Sequence, residues 1–189
     1  MEIPNDDELV KRAQEGDLDA FNKLVERYQV QMYNLALRYI NDAFLAEDVT
    51  QEAFVAAWRA IGSFRGGSFR SWLFRILINE AHDLRRRHIK RTPGSLDQML
   101  EELGEFPQMG DPHMGPEETA VSAATFRAIE QYIQKLPEEY KLVLLLVDVQ
   151  GLAYDEAASV LRLPLGTVKS RLFRGRCMLR EFLKGSGEL

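Results

Sequence analysis

Apolar residues recur three and four positions apart through most of the chain, which is the spacing of amphipathic α-helices. The N-terminal half contains four such stretches, and a glycine-rich loop from Ile61 to Gly67 precedes the last of them. Asn41 and Asp42 are typical of a helix start and separate the second stretch from the third. The predicted helices are Asp6–Gln14, Asp17–Ile40, a helix from Asp42 to about Ala60, and Ser68–Arg91.

The C-terminal part predicts four further helices, of which the last two form a helix-turn-helix. They are Pro116–Lys135, Tyr140–Val149, Tyr154–Leu161 and Leu165–Leu183. The second of these is apolar nearly all round, so we expect it to be buried. On a helical wheel of the last helix, the apolar face comprises Leu165, Val168, Leu172, Leu179 and Leu183. The opposite face carries Lys169, Ser170, Phe173 and Arg174, and it is free to enter a DNA groove.

A segment with few aromatic residues separates the two sets of helices. Residues 92–121 contain four prolines, four glycines and an excess of acidic side chains, which is typical of a flexible linker. We therefore predict an all-α fold. It consists of two small helical domains, residues 5–91 and 122–184, joined by the flexible acidic linker 92–121.

The third predicted helix is apolar on two sides. One stripe consists of Leu45, Val49, Ala53, Ala56 and Ala60, and the other of Phe54, Trp58 and Ile61. Asp48, Gln51, Glu52 and Arg59 lie between them. Two interpretations remain open: both stripes belong to the core, or the helix docks on a basic partner helix.

The fourth predicted helix carries a polar stripe that suits a nucleic-acid strand. Arg75, Asn79, His82 and Arg86 recur at helical spacing, and the cationic members favour phosphate contacts. Phe64 lies in the glycine-rich loop and is the candidate for stacking on an unpaired base. We expect the neighbouring Phe69 and Trp72 to belong to the core.

The distribution of charge strengthens this interpretation. The chain has 189 residues and a net charge of −5, which by itself argues against nucleic-acid binding. However, residues 62–91 contain eight Lys or Arg against two Asp or Glu, and residues 164–184 contain six against one. Two separate basic segments, one of them within the helix-turn-helix, favour DNA contacts.

Several other classes of protein are disfavoured. The chain has no long apolar run and begins with a polar, acidic segment, so we predict neither a transmembrane helix nor a signal peptide, and a cytoplasmic location. The one cysteine, Cys177, and the three histidines are not spaced as metal ligands. We find no nucleophile and base pair, phosphate-binding loop or dinucleotide fingerprint, so we expect neither an enzyme nor a cofactor. Cys177 is either incidental or a redox-sensitive thiol.

Two stretches carry a resemblance to a known family. The chain reads AEDVTQEAFVAAWRAIGSFRGGSFRSWLFRILINEAHDLRRR across the third and fourth predicted helices, which resembles region 2 of bacterial sigma factors of the extracytoplasmic-function (ECF) group. It reads LPEEYKLVLLLVDVQGLAYDEAASVLRLPLGTVKSRLFRGR near the C-terminus, which resembles their region 4. The resemblance implies a transcription initiation factor that binds core RNA polymerase and directs it to promoters.

The same resemblance implies roles for individual residues. The clamp helices of the largest polymerase subunit would be bound by Asp48, Gln51, Glu52, Phe54 and Trp58. The melted minus-ten strand, with one flipped base, would be captured by Phe64, Arg65, Ser68, Arg75, Asn79, His82 and Arg86. The minus-thirty-five element would be read in the major groove by Thr167, Lys169, Ser170, Arg171, Phe173 and Arg174. Family membership also implies an anti-sigma factor that covers these surfaces, and no small-molecule substrate.

Two positions depart from the family pattern. Arg162 stands where the turn usually has glycine, and Ala153 stands where a Ser or Thr cap is common. Both bear on the local stability of the motif and neither lies on the recognition face. The rival hypothesis is an autonomous helix-turn-helix regulator that acts without polymerase, although it leaves the acidic and aromatic third helix unexplained.

Overall fold

The computed structural model describes residues 5–91 and 129–185, and every regular element within these ranges is helical. The N-terminal unit comprises α1 (Asp6–Gln14), α2 (Leu18–Ile40), α3 (Ala43–Ala60), a 3-10 turn (Ile61–Ser63) and α4 (Phe69–Arg91). The C-terminal unit comprises α5 (helical over 129–135), α6 (Glu138–Leu144), a π-helical turn (Leu145–Val149), α7 (Tyr154–Leu161) and α8 (Leu165–Gly185). The predicted all-α fold is confirmed. The predicted linker 92–121 and the start of the predicted helix at Pro116 lie outside the described residues.

Short polar side chains begin the first three helices. Asn5, Asp17 and Asp42 each accept a hydrogen bond from the backbone N–H three residues later, at 2.9, 3.0 and 2.9 Å respectively. Such a bond satisfies an N–H group that has no partner within the helix. At the other end of α2, Asn41 adopts a left-handed conformation with φ of 61°. Local chemistry therefore explains why the helix bounds agree closely with the predicted ones.

The core of the N-terminal unit lies between α2, α3 and α4, with α1 packed against α2. Its largest fully buried side chains are Leu9, Leu24, Met32, Leu35, Leu73, Phe74 and Leu77. These residues recur at helical spacing, so each helix presents one apolar face to the others.

The buried stripe of α3 differs in phase from the predicted one. The buried residues of α3 are Ala46, Val49, Thr50, Ala53 and Ala57. Leu45 and Ala56 are half-buried, and so is Ala60, because the helix is rotated towards Ala46 and Ala57. Small side chains allow α3 to approach its neighbours closely, and the rotation leaves the acidic positions in solvent.

The core of the C-terminal unit is built around α6 and the π-helical turn that continues it. Val143, Leu145 and Leu146 are fully buried, which confirms the predicted buried helix. Val168 and Leu172 of α8 are buried against them at 0% and 2% exposure, as predicted. The expectation for Leu165 was wrong, because it lies in the first turn of α8 beyond the packed region and is 42% exposed.

The turn between α7 and α8 has the predicted strained residue. Arg162 ends α7 in the left-handed conformation, with φ of 55° and ψ of 43°. This conformation costs an L-amino acid with a β-carbon about 1–2 kcal/mol. Ala153 precedes α7 without a side-chain cap, although Glu156 accepts a hydrogen bond from its backbone N–H at 3.0 Å.

Candidate nucleic-acid and polymerase interfaces

The polar stripe of α4 is only partly open to solvent. Asn79 and Arg86 are exposed, and Arg86 forms an ion pair with Asp83 on its own helix. Arg75 and His82 are half-buried, because both contact the C-terminal unit. Arg75 Nη2 lies 3.4 Å from Ser159 Oγ of α7, and His82 Nδ1 lies 3.4 Å from Glu138 Oε1 of α6. Thus three of the four members of the stripe make contacts within the chain, and two of those three contact the C-terminal unit.

The loop before α4 holds its aromatic side chain inside. Phe64 is 8% exposed, and its ring packs edge-on against Phe69 and Trp72, with centroid distances of 5.7 and 5.5 Å. The expectation of an open Phe64 ring is wrong in this structure, because α4 supplies two aromatic neighbours for it. Phe69 is 4% exposed, as predicted for the core. Arg65 and Ser68 are exposed, and Arg65 Nη1 donates to the Gly62 carbonyl at 2.9 Å.

Gln14 of α1 holds this loop through side-chain hydrogen bonds, a role that the sequence pattern did not predict. Its Nε2 donates to the carbonyl oxygens of Ile61 and Phe64, at 3.0 and 2.9 Å. One amide group thus bridges both ends of the turn that carries Phe64. A lone glutamine at the end of an amphipathic helix carries no signal of such a contact, since the contact joins residues about 50 positions apart.

The recognition face of α8 is open where the wheel predicted it. Lys169, Ser170 and Arg174 are exposed, and Phe173 is 69% exposed. An exposed phenylalanine on a cationic face is suited to apolar contact with a base edge. Thr167 and Arg171 are half-buried, and Arg171 Nη2 forms an ion pair with Glu139 Oε2 of α6 at 2.9 Å. Thus Arg171 is held against its own domain.

The acidic face of α3 combines charge with apolar surface. Asp48, Gln51 and Glu52 are exposed, whereas Phe54 and Trp58 are half-buried against the core. The Trp58 ring lies 5.1 Å from the Phe21 ring, so Trp58 is partly structural. Phe44 and Val55 were not predicted as exposed, yet they are 79% and 43% exposed on the same helix. A shallow groove between α2 and α3 runs beside this face, lined by Val25, Gln29, Val30, Tyr33, Glu47, Thr50, Gln51 and Phe54.

The two helical units meet through polar contacts that the sequence did not predict. Arg38 of α2 forms an ion pair with Glu130 at 2.6 Å, and Glu130 is 4% exposed. Gln134 donates to the Arg38 carbonyl oxygen at 2.7 Å. Ser71 of α4 donates to Glu156 of α7 at 2.9 Å. Polar contacts of this kind are typical of a reversible interface between domains.

Metal and membrane sites do not occur in the described ranges. No group of three or more His, Cys, Asp or Glu side chains within residues 5–91 and 129–185 is arranged to hold a metal ion. None of the helices in these ranges is both long and apolar enough to cross a membrane. Cys177 of α8 is half-buried and unpaired with another cysteine.

Comparisons with known proteins decide between the two DNA-binding hypotheses. The family profile described as Sigma-70 region 2 matches residues 24–91, and the profile Sigma-70, region 4 matches residues 126–179. The RNA polymerase sigma-H factor of Pseudomonas aeruginosa is 41% identical over 176 residues, which cover 90% of each chain. The ECF RNA polymerase sigma-E factor of Escherichia coli is 39% identical over 173 residues, again 90% of each chain. This chain belongs to the ECF group of the sigma-70 family.

Solved structures agree with this assignment. CnrH in complex with the cytosolic domain of CnrY superimposes on this sigma factor with a TM-score of 0.68 and 28% identity, over 94% of this chain and 96% of CnrH. The sigma factor RpoE of Bartonella quintana, solved with the anti-sigma factor NepR, has the same fold, with a TM-score of 0.68 and 22% identity. In this sigma factor, α4 therefore lies in region 2 and the helix-turn-helix in region 4. Sigma factors such as these relatives are not enzymes.

Proposed function

We propose that this sigma factor binds core RNA polymerase and directs it to a specific set of promoters through two separate DNA contacts. The observation that carries the proposal is a pair of polar surfaces, partly open on α4 and open on α8, within a chain that matches both regions of the family. The chain itself performs no reaction in this proposal. It supplies binding and orientation, and polymerase supplies the chemistry in the cytoplasm.

We assign polymerase docking to α3. Asp48, Gln51 and Glu52 are exposed on one side of this helix, and Phe44 and Val55 add exposed apolar surface. Acidic groups around apolar contacts suit the basic clamp helices of the largest polymerase subunit. Phe54 and Trp58 contribute their exposed edges, and the groove beside Val30 extends the surface available to the partner helix.

Recognition of the minus-ten element belongs to α4 and the loop before it. Asn79 is exposed in the centre of the stripe, with Arg75, His82 and Arg86 around it. An amide can donate to and accept from a base edge, whereas the cations hold the backbone of the strand. A flipped base requires a pocket, and we assign the buried Phe64 to the support of the loop that would form it.

Recognition of the minus-thirty-five element belongs to the first turns of α8. Lys169, Ser170, Phe173 and Arg174 are exposed along one side of this helix, which suits the major groove. Thr167 and Arg171 flank that side. CnrH was solved with the cytosolic domain of CnrY, and RpoE of Bartonella quintana with the anti-sigma factor NepR, so we propose that an anti-sigma factor covers these surfaces when transcription is off.

Run-off transcription with purified core polymerase and a library of promoter fragments tests the proposal. Asn79→Ala should reduce transcription from the selected promoters by about tenfold or more, since one lost base contact costs about 1–3 kcal/mol. The matched control is Asn22→Ala, which removes an exposed asparagine of α2 and should transcribe normally.

Core binding by both variants should equal that of the unmodified chain. If Asn79→Ala transcribes normally, the role assigned to α4 is wrong. If the purified chain binds a specific duplex tightly and has no affinity for core polymerase, the autonomous regulator is the better explanation.

A further inference from the structure

Three hydrogen-bonding side chains of the N-terminal unit converge on one carboxylate of the C-terminal unit. The Tyr39 hydroxyl of α2 donates to Glu138 Oε1, and Arg85 Nη1 of α4 lies 2.5 Å from Glu138 Oε2. His82 Nδ1 lies 3.4 Å from the same carboxylate. Glu138 is thus bound by a site built from two helices of the other unit.

The three side chains also hold one another in place. Arg85 Nη1 lies 3.2 Å from the Tyr39 hydroxyl, and the Arg85 guanidinium lies over the Tyr39 ring, 5.6 Å from its centroid. The rings of Tyr39 and His82 pack edge-on at 5.7 Å. Since Tyr39 is 5% exposed, this arrangement is fixed by the core and does not depend on Glu138 alone.

The occupant of the site is an anion at neutral pH. Burial acts to raise the pKa of Glu138, but the hydrogen bond from Tyr39 and the charge of Arg85 outweigh it and hold the pKa below its ordinary value. A carboxylate and a phosphodiester present the same chemistry to such donors, which is a negative charge spread over two oxygens.

The position of the site connects it to the minus-ten stripe. His82 belongs to both, and Arg85 lies one helical turn further along α4, beside Arg86. A strand that runs along Arg75 and Asn79 therefore passes the site with its backbone. In this structure Glu138 occupies the place that such a backbone would require.

We propose that Tyr39, His82 and Arg85 form a phosphate subsite for the captured promoter strand, and that Glu138 of region 4 occupies it until region 4 moves away. This inference rests on the proposed function, since it assigns the strand to α4. It makes region 4 a competitor of the minus-ten strand in the free chain, and it requires separation of the two units in the polymerase-bound state.

Binding of fluorescent single-stranded minus-ten oligonucleotides to the free, full-length chain tests the competition. Glu138→Gln should raise the affinity by about tenfold, the change expected when one charge-assisted hydrogen bond is lost. The matched control is Glu139→Gln, because Glu139 pairs with Arg171 inside its own unit and should leave the affinity unchanged. Equal affinity of the Glu138→Gln variant and the unmodified chain overturns the inference.

Replacing single phosphates by neutral methylphosphonates tests the subsite itself, with the sigma factor bound to core polymerase. Arg85→Gln should weaken binding of the unmodified oligonucleotide by about tenfold, and it should have little effect when one particular phosphate is neutral. Tyr39→Phe should show the same dependence on the same phosphate. An equal loss with every methylphosphonate oligonucleotide overturns the inference, because it indicates a merely structural role for these residues.

The two proposals fail in different ways. If the polymerase-bound chain does not prefer the minus-ten sequence to a scrambled one, the proposed function fails. If it does prefer that sequence, but neither the Glu138 variant nor the methylphosphonates behave as described, only the phosphate subsite fails.

Discussion

Replacing Ala153 by threonine should stabilise region 4, because the start of α7 lacks half of a capping box. Ala153 has the extended backbone of an N-cap residue, with φ of −64° and ψ of 156°, and it is exposed. The reciprocal half of the box is already present, since Glu156 accepts a hydrogen bond from the Ala153 N–H at 3.0 Å. The missing half is an acceptor at position 153 for the N–H of Glu156.

The magnitude follows from the one hydrogen bond that is added. A cap of this type is worth about 1 kcal/mol relative to alanine, within a range of about 0.5–2 kcal/mol. The new acceptor meets solvent, not packed side chains, so no steric cost offsets the gain. For a small domain, a gain of 1 kcal/mol raises the unfolding temperature by roughly 4–8 °C.

The comparison that isolates the hydrogen bond is Ala153→Thr against Ala153→Val. The two side chains have nearly the same shape, but only threonine offers an oxygen to the backbone. Thermal unfolding followed by circular dichroism should show a higher midpoint temperature for region 4 in the threonine variant than in the valine variant. The corresponding difference in the free energy of unfolding is about 1 kcal/mol. If the threonine and valine variants unfold at the same temperature, the capping argument is wrong.

Three further substitutions test other parts of region 4. Arg162→Gly should stabilise it by about 0.5–1 kcal/mol, because glycine adopts the left-handed conformation without strain but loses more chain entropy; an unchanged unfolding temperature would contradict this. Burial lowers the pKa of Lys141 to about 8, so the unfolded chain binds more protons than the folded one between about pH 8 and 10.5. The Lys141→Met variant should therefore be more stable than the unmodified chain at pH 7, by on the order of 1–3 kcal/mol in the free energy of unfolding. In urea unfolding this difference should shrink as the pH rises through the window, and a constant difference would count against the argument. Gly175→Ala should stabilise α8 by about 0.5–1 kcal/mol in the same assay, since a β-carbon there would lie 3.4 Å from Tyr140 Cβ, an ordinary contact; a loss of stability would show that Tyr140 cannot accommodate it.

Local sequence determined the helices and their ends. Apolar spacing predicted every helix of the described ranges, and the caps at Asp17 and Asp42 act through backbone groups only three residues away. The left-handed Arg162 and the exposed face at Lys169 were also foreseeable. Such features depend on near neighbours in the chain, so one-dimensional spacing is enough to find them.

Tertiary packing decided which of several possible faces each helix buries. The pattern of α3 left open whether both apolar stripes face the core, and contact with α2 and α4 buried Ala46 and Ala57, which belong to neither predicted stripe. The same packing turned Phe64 inward, because Phe69, Trp72 and the amide of Gln14 surround its loop. A helical wheel contains no information about which residues of other helices pack against a given face.

The binding of Glu138 by Tyr39, His82 and Arg85 could not be predicted from the sequence alone. Glu138 and Tyr39 lie 99 positions apart, and each residue by itself looks like an ordinary polar position of an amphipathic helix. Their encounter depends on how region 2 and region 4 pack, and the ion pair between Arg38 and the buried Glu130 is one of the contacts between the two regions. The sequence by itself therefore determined the helices and both DNA-facing surfaces, whereas only the tertiary structure decided that one region occupies a binding site of the other.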